Sequence, residues 1–195
     1  MSEARLALER VACVRGDRLL FAGLDLVLGP GEAAMVVGPN GAGKSSLLRL
    51  IAGLLAPAAG AVRREGGVAL VGEAPALDPA LPLARALGFW AAIDAVGASA
   101  VARALSAMAI APLADVPVRL LSTGQRKRAA LAGAIAGARP IWLLDEPANG
   151  LDAAALTLLA DAIAAHRANG GIVVAASHQP IGLADAREIA LASLR

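Results

Sequence analysis

The sequence has no tyrosine, a single cysteine and only two lysines, and aromatic residues make up 2% of its 195 positions. Each scarcity excludes something. One cysteine, Cys13, rules out an intramolecular disulfide and a cysteine-built zinc centre. Within "VACV" it reads as a small buried core residue, not a redox centre. The formal net charge is only +2 and is spread along the chain, so no basic stripe suited to nucleic acid is present. The densest cationic cluster, Arg126-Lys127-Arg128, reads as a solvated helix face. Long apolar runs are missing too. The longest stretch free of Asp, Glu, Lys and Arg, 168–184, is 17 residues long. It carries Asn169, three glycines, His178 and Pro180, so it is too short and too polar for a span of ~20 apolar residues. The opening "MSEARLALER" places acids and arginines before any apolar block, which is unlike a secretory signal. A soluble cytoplasmic protein is expected.

What the chain has instead is alanine, glycine and aliphatic residues. The hydrophobic share is 57%, much of it alanine, and the length suits one domain with a substantial core. "RLALERVACV" and "LLFAGLDLVL" read as two strands joined by a turn at "RGD". "GPGE" turns the chain into the apolar strand 33–37. "GLLAPAAGAV" interrupts helical periodicity at Pro57 and Gly60, and "GGVALVG" supplies a short strand. Residues 83–135 read as mostly helical, with breaks near Gly97, Pro112 and Pro117. "PIWLLDE" and "GGIVVAAS" are buried strands either side of the helix "LDAAALTLLADAIAAHRAN". A closing helix and a last strand, "EIALASL", complete the pattern. Strands that are apolar throughout and alternate with helices imply an α/β fold around a parallel sheet.

Three stretches carry chemistry. Residues 38–45, "GPNGAGKS", fit G-x-x-x-x-G-K-[ST] between a strand and a helix. Glycines there let backbone N–H groups approach phosphate oxygens, and the helix start adds its positive end. Gly38, Pro39, Asn40, Gly41, Ala42, Gly43, Lys44, Ser45 and Ser46 are the candidate phosphate-binding residues. In "IWLLDEP", Asp145 and Glu146 end a buried strand, where open parallel sheets bind ligands. Asp145 would help the Ser45 hydroxyl to hold Mg²⁺, and Glu146 would polarise the attacking water. Third, "LSTGQ" places Ser122 as a helix N-cap ahead of "RKRAALAGAIAG". His178 ends a further strand beside the proposed phosphate site.

In this order and spacing, the elements resemble the ATP-binding cassette (ABC) ATPases: "GPNGAGKS" the Walker A loop, "LSTGQ" the signature loop, "IWLLDEP" the Walker B strand, "NGLD" the D-loop, and His178 the switch histidine. The resemblance implies a P-loop NTPase fold with a RecA-like core, an N-terminal antiparallel β subdomain and a helical insert at about 75–135, in a single domain spanning 1–195. It implies ATP hydrolysis with Mg²⁺, with Lys44, Glu146 and His178 as catalytic residues. It further implies a homodimer closed head to tail around two ATP molecules, with Ser122, Gly124, Gln125 and Asp152 reaching the nucleotide of the other subunit. The site partner that "LSTGQ" lacks in its own chain would then be the second copy.

The chain departs from the family pattern twice. The Q-loop glutamine position falls on Ala74, with Glu73 beside it. The usual adenine-stacking aromatic falls on Arg15, whose guanidinium could stack on the base or simply sit in a surface turn. "ACVRGDRLLFAGLDLVLGPGEA" and "LGFWAA" most resemble the ATP-binding subunit of the cytochrome c maturation transporter, the haem exporter branch. That branch implies an integral membrane permease partner of the CcmB type and a peripheral position on the cytoplasmic face of the bacterial inner membrane. The groove around Glu73 and the helix "LPLARALGFWAA" would meet the membrane partner, with Phe89 and Trp90 packed in the core. No direct haem binding is expected, because Cys13, His166 and His178 form no ligand motif. The other readings are a cassette for a different transported substrate, a low-turnover regulatory ATP-binding module, and a cassette acting on nucleic acid. The last usually carries long coiled-coil or zinc-bearing insertions, which this chain lacks.

Overall fold

The computed structural model describes residues 4–72, 76–183 and 185–192. Two sheets organise the chain. Strands β1 (Arg5–Arg15) and β2 (Arg18–Leu28) form an antiparallel hairpin, and β4 (Ala59–Glu65) adds to the other edge of β1, giving the order β2-β1-β4. The second sheet is parallel, with the order β5-β6-β7-β3-β8. Its strands are β3 (Ala33–Val37), β5 (Val68–Val71), β6 (Ile141–Asp145), β7 (Ile172–Ala176) and β8 (Arg187–Ala190). Helix α1 (Lys44–Ala52) follows β3. Helices α2 (Leu83–Ile93), α3 (Ala98–Ala107) and α4 (Thr123–Gly137) pack on one another, and α5 (Ala153–Ala168) links β6 to β7. This is the α/β class expected, with the antiparallel subdomain and the helical block in place.

Alternation along the parallel strands explains the layering, because successive side chains point to opposite faces. Ile141 and Leu143 of β6 join Val36, Val174, the α1 leucines and the inward side chains of β1 and β2 in one core. Trp142 and Leu144 join the helices α2 to α5 in the other. Both faces are covered, which is why the strands read as unbroken apolar runs. Cys13 is buried in the first core, as expected, and burial pushes its thiol above the usual cysteine range.

Four expectations change. The stretch after "LLAPA" is not merely a break but the strand β4, whose outer half "RRE" is exposed at a sheet edge. No closing helix forms among the described residues. Residues 177–183, 185 and 186 run as turns and bends before β8. Phe89 and Trp90 are not core residues. They are 59% and 41% exposed on α2, in edge-to-face contact at 5.4 Å, and Ile93 lies one turn on at 57%. Finally, the cluster 126–128 is no solvated face. Lys127 is buried and all three side chains donate to backbone carbonyls: Arg126 to Leu121, Lys127 to Gly72 and Asp145, and Arg128 to Met108 and Ala109. Glu73 and Ala74 lie outside the described residues.

Candidate active site

Strands β3, β6 and β7 are neighbours in the order β6-β7-β3, so the loops at their carboxyl ends converge. Each carries one candidate group: the loop 38–45 after β3, Asp145 and Glu146 at the end of β6, and His178 just past β7. An open parallel sheet presents its ligands at this edge.

The glycine-rich loop is set by backbone geometry. Gly38, at φ 148°, sits where an added Cβ would lie well under 3.0 Å from the Leu191 carbonyl oxygen. Gly43, at φ 105°, is the N-cap of α1 and packs against Leu20 and Phe21 of β2. Pro39, Asn40 and Gly41 are exposed while Ala42 and Gly43 are buried, so the loop tip faces solvent from a fixed base. Ser45 and Ser46 begin the helix, half-buried. The Lys44 ammonium donates to the carbonyls of Gly38 at 2.8 Å and Pro39 at 3.3 Å, folding back over its own loop.

Lys44, His178 and Glu146 meet. His178 Nε2 lies 3.4 Å from Lys44 Nζ and 3.4 Å from Glu146 Oε1, and its backbone N–H points to Glu146 Oε2 at 3.4 Å. One imidazole nitrogen cannot serve both neighbours at once: facing the ammonium it must offer a lone pair, facing the carboxylate it must carry the proton. Glu146 has a left-handed backbone, φ 47°, and its N–H donates to Ala176 O at 2.8 Å. A non-glycine residue there carries strain of about 1–2 kcal/mol, which only a closely packed surround maintains.

The "LSTGQ" segment folds as a capping box. Gln125 N–H donates to Ser122 Oγ at 3.2 Å and Ser122 N–H to Gln125 Oε1 at 2.8 Å. Gly124 abuts the turn after β6, where an added Cβ would be 2.8 Å from Gly150 O. Asp152 caps α5 by accepting from Ala155 N–H at 2.8 Å. Ser122 and Asp152 are both exposed. Arg15 ends β1, exposed, opposite Arg18.

Asp145 and Ser45 offer hard oxygen donors, the kind Mg²⁺ prefers, and among the described residues no cluster of three His, Cys, Asp or Glu side chains could hold a metal by itself. That donor set fits Mg²⁺, which keeps waters and takes phosphate oxygens to complete its shell. A cavity of about 620 Å³ lies elsewhere, before the starts of β6 and β7, where the His166 and Trp142 rings stack at 4.0 Å. It contains none of the groups above. The residues that sequence reasoning missed are Leu191 and Lys127; of these only Lys127, one of the two lysines, carried any signal.

The chain belongs to the ABC transporter family, which matches residues 21–149. Among its relatives, the cytochrome c biogenesis ATP-binding export protein CcmA of Sphingopyxis alaskensis is 60% identical over 97% of both chains. CcmA of Zymomonas mobilis subsp. mobilis is 54% identical over 96% of this chain and 85% of its own. A solved metal-chelate type ABC transporter in an inward-facing conformation superposes with a TM-score of 0.82, at 25% identity, over 98% of this chain and 80% of that one.

Proposed function

We propose that this chain is the ATP-hydrolysing, energy-coupling subunit of a bacterial ABC transporter serving c-type cytochrome biogenesis, bound peripherally to the cytoplasmic face of the inner membrane. ATP hydrolysis follows from the family. The branch rests on relatives of 60% and 54% identity over nearly the whole chain. Among the described residues no helix is long and apolar enough to cross a membrane, so a separate permease subunit would supply the path.

One observation carries the site reading: Lys44, Glu146 and His178 converge at the carboxyl edge of the sheet, beside the glycine-rich loop. Loop N–H groups and Lys44 would hold the phosphates, with Lys44 giving up the Gly38 and Pro39 carbonyls. Asp145 and Ser45 would hold Mg²⁺, which supplies charge neutralisation on the phosphate oxygens. Glu146 would orient and deprotonate the attacking water. Once Lys44 moves to phosphate, His178 Nε2 is free to keep its proton and donate to Glu146 or to the terminal phosphate. Ser122, Gly124 and Gln125, with Asp152, would complete the nucleotide site of a second copy. The exposed Phe89, Trp90 and Ile93 lie on α2, and the Trp90 indole N–H donates to Ala76 O. They would form part of the permease contact, and Arg15 would border the adenine.

The test is steady-state ATPase activity of wild type and Glu146→Gln, each alone and with the co-expressed membrane subunit. We expect turnover to fall about 10²–10⁴-fold in Glu146→Gln, the range for loss of a general base, with ATP affinity retained and an ATP-dependent dimer trapped. Undiminished turnover would overturn the base assignment.

A further inference from the structure

Lys127 has no assigned role, yet it is one of two lysines in the chain and it is only 7% exposed. Burying an ammonium is costly unless its hydrogens are taken up. Among its bonds are two to carbonyl oxygens, Gly72 and Asp145, both at 3.3 Å. Those two residues follow the last paired positions of adjacent parallel strands, Val71 opposite Leu144. Both carbonyls lie past the last pair of the β5–β6 ladder, where the ladder no longer joins the two strands, and the ammonium bridges them.

The Asp145 carbonyl belongs to the peptide unit that leads into Glu146. Lys127 holds that unit by its oxygen, and Ala176 O holds it by the Glu146 N–H at 2.8 Å. Rotation of this plane would change the φ of Glu146, the left-handed 47° that aims the carboxylate at His178. Lys127 projects from α4 little more than one turn after Ser122, the residue that caps that helix. The helix that begins at the signature loop therefore ends its first turns with a cation on the peptide behind the catalytic carboxylate.

We infer that Lys127 is a positioning residue for ATP hydrolysis, tying the seating of the α4 helix to the backbone geometry of Glu146. The inference rests on Glu146 being the base. Withdrawal of α4 from β5 and β6 would remove the ammonium and relax the strained residue, so the carboxylate is aimed only while the signature helix is seated.

The experiment uses the full chain co-purified with its membrane subunit. Lys127→Met is compared with Lys127→Arg, which keeps a bridging cation, and each is combined with Glu146→Gln. If Lys127→Met does not fold, Lys127→Gln, one bond shorter and uncharged, takes its place. We expect kcat to fall about 10- to 100-fold in Lys127→Met, the size seen when a reacting group is misplaced by about 1 Å. ATP affinity should stay within about twofold, Lys127→Arg should recover most of the turnover, and the loss should vanish in the Glu146→Gln background, where single-turnover rates are read. An equal loss in both backgrounds, or a parallel fall in ATP affinity, would overturn the inference and leave Glu146 as the base. Undiminished turnover in Glu146→Gln alone would overturn both.

Discussion

Replacing Gly38 by alanine tests how the phosphate loop is held. Gly38 and Gly41 both have positive φ, 148° and 80°, so alanine at either carries backbone strain of about 1–2 kcal/mol. Only Gly38 also meets a wall. Its added Cβ would overlap the Leu191 carbonyl oxygen, whereas at Gly41 nothing lies within 4 Å. The wall is backbone, and it is pinned, because Leu191 N–H donates to Val37 O at 2.8 Å. Either that bond lengthens or the loop shifts, adding about 1–2 kcal/mol, the lower part of the range for overpacking. The expected totals are about 2–4 kcal/mol for Gly38→Ala and about 1–2 for Gly41→Ala. At about 2–4 °C per kcal/mol for a chain of this size, Gly38→Ala should lower Tm by about 4–16 °C. Thermal unfolding followed by circular dichroism, without nucleotide and with chelator present, reads the fold free of ligand stabilisation. Equal melting temperatures for the two variants would refute the claim that the segment after β8 presses on the loop.

Two further outcomes can be checked directly. Serine at both Phe89 and Ile93, exposed on one face of α2, should leave Tm within about 1–2 °C but abolish co-purification with the membrane subunit; retained co-purification would remove this face from the interface. His166 is held below its usual pKa of 6.5 by burial against Trp142, so the folded state favours its neutral form. That stability is full above about pH 6.5 and is lost as the pH falls. His166→Phe keeps the stack without the titration and should flatten the decline in Tm between about pH 7.5 and 5.5; an unchanged decline would assign it to other groups.

Much of this was legible because the informative features are local. A strand, five turn-forming residues and a Lys-Ser pair specify the turn between β3 and α1 within thirteen positions, and "LLDEP" specifies the end of β6 in the same way. What was not legible depends on distant partners. The strand β4 is nearly half charged and interrupted by Gly60, and its register shifts where β1 bulges between Glu9 and Ala12. Phe89 and Trp90 look like core residues by composition, and the sequence does not record that α2 turns them outward. The triplet 126–128 looks like surface charge, yet its carbonyl partners lie as far as 55 residues away.

The strand order has a consequence for the timing of folding. β3, which delivers the phosphate loop, is flanked by β7 and β8, both made long after it. As the chain leaves the ribosome, the β1–β2 hairpin can pair at once, but β3 must wait with both edges open until β7 has emerged, and with one edge open until residue 190 has. Contacts of such long sequence separation form slowly. The strand that leads into the glycine-rich loop, early in the sequence, is therefore among the last of the sheet to gain both neighbours. A stalled or clipped product lacking β8 would leave the loop's own strand with an exposed apolar edge.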